Sequence, residues 1–91
     1  MSKGLHKQIM KTFAARLRAA REDAGYKSAQ QFAGVLGLEP HAYRKYERGQ
    51  SEPNFETLTR ICEILSITPN HLLPLAAAGR QARGNSQTVA A

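Results

Sequence analysis

Apolar residues recur along this chain with the period of an α-helix, and no stretch alternates for long enough to predict a β-strand. Leu5 and Leu17 are the first and last of four large apolar residues spaced four positions apart. They predict one face of a first helix that ends at about Asp23. Its start has two alternatives: a cap at Thr12, or one or two extra turns formed by residues 5–10.

A capping-box pattern predicts the second helix. Ser28 is followed three residues later by Gln31, so that the hydroxyl and the side-chain amide can each accept a hydrogen bond from a free backbone N–H. Phe32, Ala33 and Leu36 would form the apolar face of this helix. A glycine at residue 37 can adopt the left-handed conformation that ends it.

Three more helices are predicted from the same kinds of signal. Glu39 followed by Pro40 favours a helix start, because proline at the first helical position loses no hydrogen bond, and Gly49 marks the end. Asn54 is a favourable N-cap for a fourth helix, and Thr68 before a proline opens a short fifth helix. The inner face of the fourth helix would contain Leu58, Ile61, Cys62 and Leu65. We therefore predict an all-α fold of five helices.

Positive charge is concentrated in the N-terminal part of the chain. The 91 residues carry 13 Lys and Arg against 7 Asp and Glu, a formal net charge of +6. Residues 1–27 hold seven of the basic residues and only two acidic ones. This asymmetry favours an acidic partner, with nucleic acid first and an anionic membrane surface second, although an ordinary basic surface is an equal alternative.

Composition narrows the class of protein further. A chain of this length builds one modest core, and none of its apolar runs approaches the length of a membrane span. The single cysteine, Cys62, cannot form an internal disulfide. We expect a soluble cytoplasmic protein with no membrane association, no cofactor and no metal.

The second and third predicted helices, residues 29–36 and 40–48, are separated by only Gly37, Leu38 and Glu39. So short a turn, with glycine first and an apolar residue in the middle, sets two helices at a steep angle in a helix-turn-helix arrangement. The second helix of such a pair projects an outer face that can enter the major groove of DNA.

The residues in and after this turn resemble the XRE family of helix-turn-helix proteins, the Cro and lambda-repressor-like DNA-binding domain. The similarity covers about residues 13–73. In the length of the loop 25–27, the sequence is similar to the phage-repressor-like branch of the family. It rests on residues 28–38, Tyr43, the run Tyr46-Glu47-Arg48-Gly49, Pro53, the Leu58/Ile61/Leu65 helix and residues 67–73.

The resemblance implies a compact five-helix domain and a homodimer bound to a pseudo-palindromic double-stranded DNA operator. We expect this domain at residues 12–75, with an N-terminal extension or extra helical turns at 1–11 and a flexible tail at 76–91. One departure concerns the start of the second helix, where family members commonly carry a phosphate-binding Gln. Here that position is Ala29, with Gln30 and Gln31 beside it.

Helical spacing predicts which residues of the third helix would face DNA. Pro40, His41, Arg44, Lys45 and Arg48 are expected to point outward. Of these, Arg44 and Lys45 can donate to guanine, and His41 can donate to an acceptor on several bases, so all three are predicted base contacts. The alternative for each is an ordinary solvated surface.

The flanking residues are expected to contact phosphates and to position the helix. The predicted phosphate contacts are Lys27, Ser28, Gln30, Tyr43, Arg48, Gln50, Ser51 and Asn54. Tyr43 and Tyr46 are more readily explained as core residues than as platforms for base stacking, with a contact from the Tyr43 hydroxyl to phosphate as an added role. The family resemblance further implies a structural ion pair between Arg21 and Glu47.

We expect no enzyme, because the three histidines lie on different helices and no catalytic or phosphate-binding motif occurs. The favoured function is a sequence-specific transcriptional regulator, a repressor of prophage or mobile-element type. An antitoxin and a restriction–modification controller use the same module and are not separated from it. A protein-interaction module that docks a partner through helix five and residues 75–78 is the alternative from another class.

Overall fold

The computed structural model describes residues 2–74, with side chains from residue 4 onward. Five α-helices follow one another, and no strand occurs within residues 2–74. Their bounds are α1 Ser2–Asp23, α2 Ala29–Leu36, α3 Pro40–Glu47, α4 Phe55–Leu65 and α5 Pro69–Leu72. The prediction of an all-α, five-helix fold is confirmed. The expected tail at residues 76–91 lies outside the described residues, as does Leu75.

The first helix continues without a break through Thr12, so the alternative with extra N-terminal turns is the one observed. Its first turns extend beyond the core, and Leu5 is accordingly 61% exposed. Further along the same helix, Phe13 and Leu17 are buried. His6 Nε2 lies 3.3 Å from Glu52 Oε1, a contact between two exposed side chains that links the extension to the loop before α4.

The predicted capping box at the start of α2 is only half formed. Ser28 Oγ accepts a hydrogen bond from the backbone N–H of Gln31 at 3.0 Å, as expected. The Gln31 side-chain oxygen, however, accepts from the backbone N–H of Lys27 at 3.0 Å, one residue before the cap. At the other end, Gly37 has φ 76° and ends the helix in the left-handed conformation, as predicted.

The core lies where the five helices meet, and aromatic rings from two of them occupy its centre. Phe32 and Tyr43 are fully buried, with their ring centroids 5.5 Å apart in an edge-to-face arrangement. Tyr26 packs on Phe32 from the other side at 4.9 Å. Burying a ring of this size contributes about 1.5–3 kcal/mol. The interpretation of Tyr43 as a core residue rather than a base-stacking platform is therefore confirmed.

The single cysteine has a structural role. Cys62 is buried on the inner face of α4, and burial raises the pKa of its thiol. A protonated buried thiol packs as a small apolar group.

Within residues 2–74, no helix has the length and apolar character needed to cross a bilayer. No three His, Cys, Asp or Glu side chains come together in that part of the chain as a metal site would require.

Candidate nucleic-acid interface

The turn between α2 and α3 is held in place by its middle residue and by the cap of α3. Leu38, in its middle, is half-buried and packs against the core. Glu39 then caps α3, since its carboxylate accepts from the backbone N–H groups of His41 at 3.1 Å and Ala42 at 3.3 Å. Pro40 follows the cap at the first helical position, as predicted. The turn therefore sets the position of α3 through contacts with both the core and the backbone.

The inner and outer faces of α3 are clearly separated. Tyr43 is fully buried on the inner face, whereas His41, Lys45 and Arg48 are exposed. Since an α-helix has 3.6 residues per turn, these three positions lie nearly opposite Tyr43. Arg44 is half-buried and lies on the flank of the outer face. The predicted outer face thus holds for His41, Lys45 and Arg48, with Arg44 at its edge.

Ala42 is a surface residue of α3 that sequence reasoning missed. It is exposed on the flank opposite Arg44, next to His41. A methyl side chain offers no hydrogen bond, but it can contact the methyl group of thymine. Its small size and its position near the start of the helix were the available signals.

Arg21 and Glu47 are brought together beneath α3. Arg21 Nε donates to Glu47 Oε2 at 2.6 Å and Arg21 Nη2 donates to Oε1 at 3.2 Å, a bidentate pair. The third nitrogen, Nη1, donates to the backbone carbonyl of Tyr26 at 2.7 Å. The hydrogen bonds that Arg21 donates to Glu47 raise the pKa of Arg21 above its ordinary value. This pair joins α1 to α3 and removes the charge of Glu47 from the surface.

The predicted phosphate contact by Tyr43 is wrong. Its side chain is fully buried, and its hydroxyl donates a hydrogen bond to Glu47 Oε2. Burial, together with this bond, raises the pKa of the phenol well above its usual value, so the hydroxyl stays protonated as the donor. A donor committed to a buried carboxylate cannot reach DNA. The sequence placed Tyr43 in the core, and the four-residue spacing to Glu47 on the same helix was the available signal for the partner of its hydroxyl.

The start of α2 presents one set of predicted phosphate-binding residues. Lys27, Ser28 and Gln30 are all exposed. The Ser28 oxygen accepts the capping bond from Gln31, and its own O–H is left as a donor. Together with the backbone N–H groups at a helix N-terminus, these side chains form a surface suited to an anion.

A second set follows α3, in the loop that leads to α4. Arg48 and Gln50 are exposed and Ser51 is half-buried. Asn54 caps α4, because its Oδ1 accepts from the backbone N–H of Thr57 at 2.8 Å. The amide nitrogen of Asn54 keeps its donors for another partner. The two sets therefore lie at the two ends of the α2–α3 unit, where a groove-bound helix would meet the backbone.

Two basic residues of α1 have partners within the protein. Arg16 Nη1 donates to the backbone carbonyl of Leu73 at 3.0 Å and so ties α1 to the end of α5. Arg18 Nε lies 3.4 Å from Glu22 Oε2, one turn along the same helix. The contact of Arg16 joins residues far apart in the chain, so no local sequence pattern indicates it.

Comparison with known proteins gives one family and two relatives. The family model described as "Helix-turn-helix domain" matches residues 12–75. The chain is 41% identical over 61 residues to YonR of Bacillus subtilis (strain 168), named an SPbeta prophage-derived uncharacterized HTH-type transcriptional regulator. It is also 41% identical over 44 residues to YqaE of the same organism, named an uncharacterized HTH-type transcriptional regulator.

These alignments cover only parts of the relatives. The match to YonR covers 67% of this chain and 56% of that protein. The match to YqaE covers 48% of this chain and 38% of that protein. The chain thus spans about half the length, or less, of the curated relatives it matches. No solved structure gives a significant match.

Proposed function

The chain belongs to the helix-turn-helix domain family, and from this premise we propose that it is a sequence-specific transcriptional regulator that binds double-stranded DNA. The observation that carries the proposal is the outer face of α3. His41, Lys45 and Arg48 are exposed there, on a helix whose inner face is held in place by Arg21 and Glu47. A rigid helix with an outward row of donors fits the major groove, which is about as wide as one helix.

Each part of this surface has a proposed role. His41, Arg44 and Lys45 contact base edges, because all three carry donors suited to the acceptors that bases expose in the major groove. The remaining proposed residues bind phosphates on either side and orient α3 without selecting sequence. They are Lys27, Ser28, Gln30, Arg48, Gln50, Ser51 and Asn54.

We further propose a repressor of prophage or mobile-element type, acting in the cytoplasm as a homodimer on a pseudo-palindromic operator. The prophage origin in the name of YonR supports the first part. A dimer is the general way in which one short recognition helix per subunit covers an operator, with half-sites about one helical turn apart. Two-fold symmetry of the protein then requires a pseudo-palindromic site.

Selection of binding sites from random duplex DNA tests this function. The expected outcome is a palindrome with half-sites about one helical turn, or about 10–10.5 base pairs, apart. A single half-site would contradict the dimer but keep the sequence-specific function. Enrichment of no sequence at all would contradict the base contacts assigned to α3.

An antitoxin-like protein-interaction module is the second candidate, and an exposed apolar surface favours it. Phe55 is 85% exposed and borders a groove lined by Met10 and Leu58. Salt dependence separates the two candidates. A DNA-binding protein that makes six or so phosphate contacts should lose roughly 10³-fold in affinity or more between about 50 and 200 mM salt. An affinity for DNA that hardly changed with salt would contradict the DNA-binding function.

A further inference from the structure

A groove with a basic lining lies beside α3, between its C-terminal end and the flank of α1. Its volume is about 670 Å³, with Lys7, Lys11 and Arg18 on one side and Arg48 on the other. Lys11 follows Lys7 by four positions and Arg18 follows Lys11 by seven, so the three residues share one face of α1. Through Arg48 the groove is continuous with the outer face of α3.

Close packing between the two helices forms this groove. Gly49 follows α3 with φ 73°, in the left-handed region that favours glycine. A Cβ at this position would lie 3.6 Å from the carbonyl oxygen of Met10 and 3.8 Å from the Cα of Lys11. The backbone after α3 thus rests directly against α1, and the basic face of α1 is held at a fixed place beside the candidate DNA-binding surface.

The electrostatics of the groove are strongly positive. Glu47 is the one acidic residue in its lining, and its side chain is 10% exposed and engaged by Arg21. Arg18 shares its charge with Glu22, although both side chains are more than half exposed, so this pair is weak. Neither Lys7 nor Lys11 forms an ion pair with a carboxylate among the described residues.

We infer that this groove binds the phosphate backbone of DNA next to the base pairs that α3 contacts, with Lys7 and Lys11 supplying two phosphate contacts beyond those proposed above. The inference rests on the proposed function. Continuity with α3 favours DNA over an anionic membrane, because a duplex seated on α3 lies beside the groove. A lysine–phosphate contact carries no sequence information, so the groove adds affinity and salt dependence and leaves the preferred operator unchanged.

The first test measures affinity against salt for Lys7→Gln, Lys11→Gln and the double variant. Loss of each contact should make the negative slope of log K against log salt less steep by about 0.9. This corresponds to roughly tenfold weaker binding at about 0.1 M salt. The loss should be the same on a selected operator and on random-sequence duplex. Arg60→Gln is the matched control, since Arg60 is exposed on α4 and does not line the groove.

The second test adds a charge and does not depend on the original lysines. Ala15 is exposed and lines the groove. Ala15→Lys should steepen the salt slope by up to about 0.9 and tighten binding to every sequence, whereas Ala15→Gln should leave both unchanged. Both residues are good helix formers, so a loss of helix does not account for a difference between them.

Each result bears on one proposal only. If the wild-type chain binds DNA with a steep salt slope and the Lys7, Lys11 and Ala15 variants keep that slope, the groove assignment is overturned and the function of α3 stands. The same holds if these variants change binding to phosphatidylserine vesicles alone, which would assign the groove to a membrane surface. A wild-type chain that does not bind DNA would contradict the proposed function itself.

Discussion

The inner face of α3, with Tyr43 and Glu47, and its outer face, with His41, Lys45 and Arg48, differ in what their polar atoms contact. Both inner residues are bonded within the protein: the Tyr43 hydroxyl donates to Glu47, and Glu47 also accepts from Arg21. The three outer side chains make no hydrogen bond or ion pair with the residues that the structure describes. The inner face thus determines where the helix lies, and the outer face is left to meet a partner.

Glu47→Ala should have the largest effect, because it removes the carboxylate to which both the Arg21 guanidinium and the Tyr43 hydroxyl donate. Arg21 would keep its charge in a site where its side chain is 5% exposed. Breaking one partner of a well-buried ion pair costs about 3–5 kcal/mol in the free energy of unfolding. Urea unfolding followed by circular dichroism measures the change.

Glu22→Ala is the matched control for that experiment. Glu22 also approaches Arg21, at 3.9 Å, but its own side chain is 51% exposed. An exposed ion pair contributes about 0–1 kcal/mol, so this variant should stay close to the wild type. Equal losses for Glu22→Ala and Glu47→Ala would show that burial does not distinguish the two contacts.

Arg44→Ala tests the outer face and should act on binding rather than on folding. Loss of a base contact should cost about 1–3 kcal/mol in binding free energy and relax the preference at one base position. Gln50→Ala is the comparison, since loss of a phosphate contact should weaken binding to all sequences alike. Binding measured on a panel of single-base operator variants separates the two outcomes. An unchanged base preference in Arg44→Ala would remove Arg44 from the base contacts.

Apart from the Arg21–Glu47 pair, which the family resemblance implied, the features that the sequence predicted correctly are local in the chain. Asn54 and Glu39 each accept hydrogen bonds from N–H groups two or three residues away, so the residue type and its spacing are sufficient to predict them. Gln31 shows the limit of such local patterns, because a flexible side chain has two backbone donors within reach and took that of Lys27. The bounds of α2 therefore agreed with the prediction and α3 ended one residue earlier than predicted, while the details of one cap differed.

The features that the sequence could not predict depend on contacts between distant segments. The groove at Lys7 and Lys11 exists because the backbone at Gly49 packs against α1, and nothing near either lysine indicates this. The contact of Arg16 with the carbonyl of Leu73 illustrates the same limit, since the two residues lie far apart in the chain and meet only after folding. Helical periodicity shows which residues face inward, but it does not show what they meet there.

The smallest predicted effect concerns Glu39, the last residue of the turn and the N-cap of α3. Its carboxylate caps the helix, yet it is an exposed negative charge beside a surface proposed to bind DNA. Glu39→Ala should lower the free energy of unfolding by about 1 kcal/mol through loss of the cap. The same substitution should increase the DNA association rate at low salt, because a charge of the same sign as phosphate is removed.

Glu39→Ser separates these two consequences. Serine is a strongly preferred N-cap and carries no charge, so this variant should keep nearly wild-type stability. It should still bind DNA faster than the wild type at low salt, with the difference disappearing as salt screens the surface. Stopped-flow association at two salt concentrations, together with urea unfolding, measures both quantities. If Glu39→Ser associated no faster than the wild type, Glu39 would lie away from the bound DNA and the proposed docking of the α3 N-terminus would need revision.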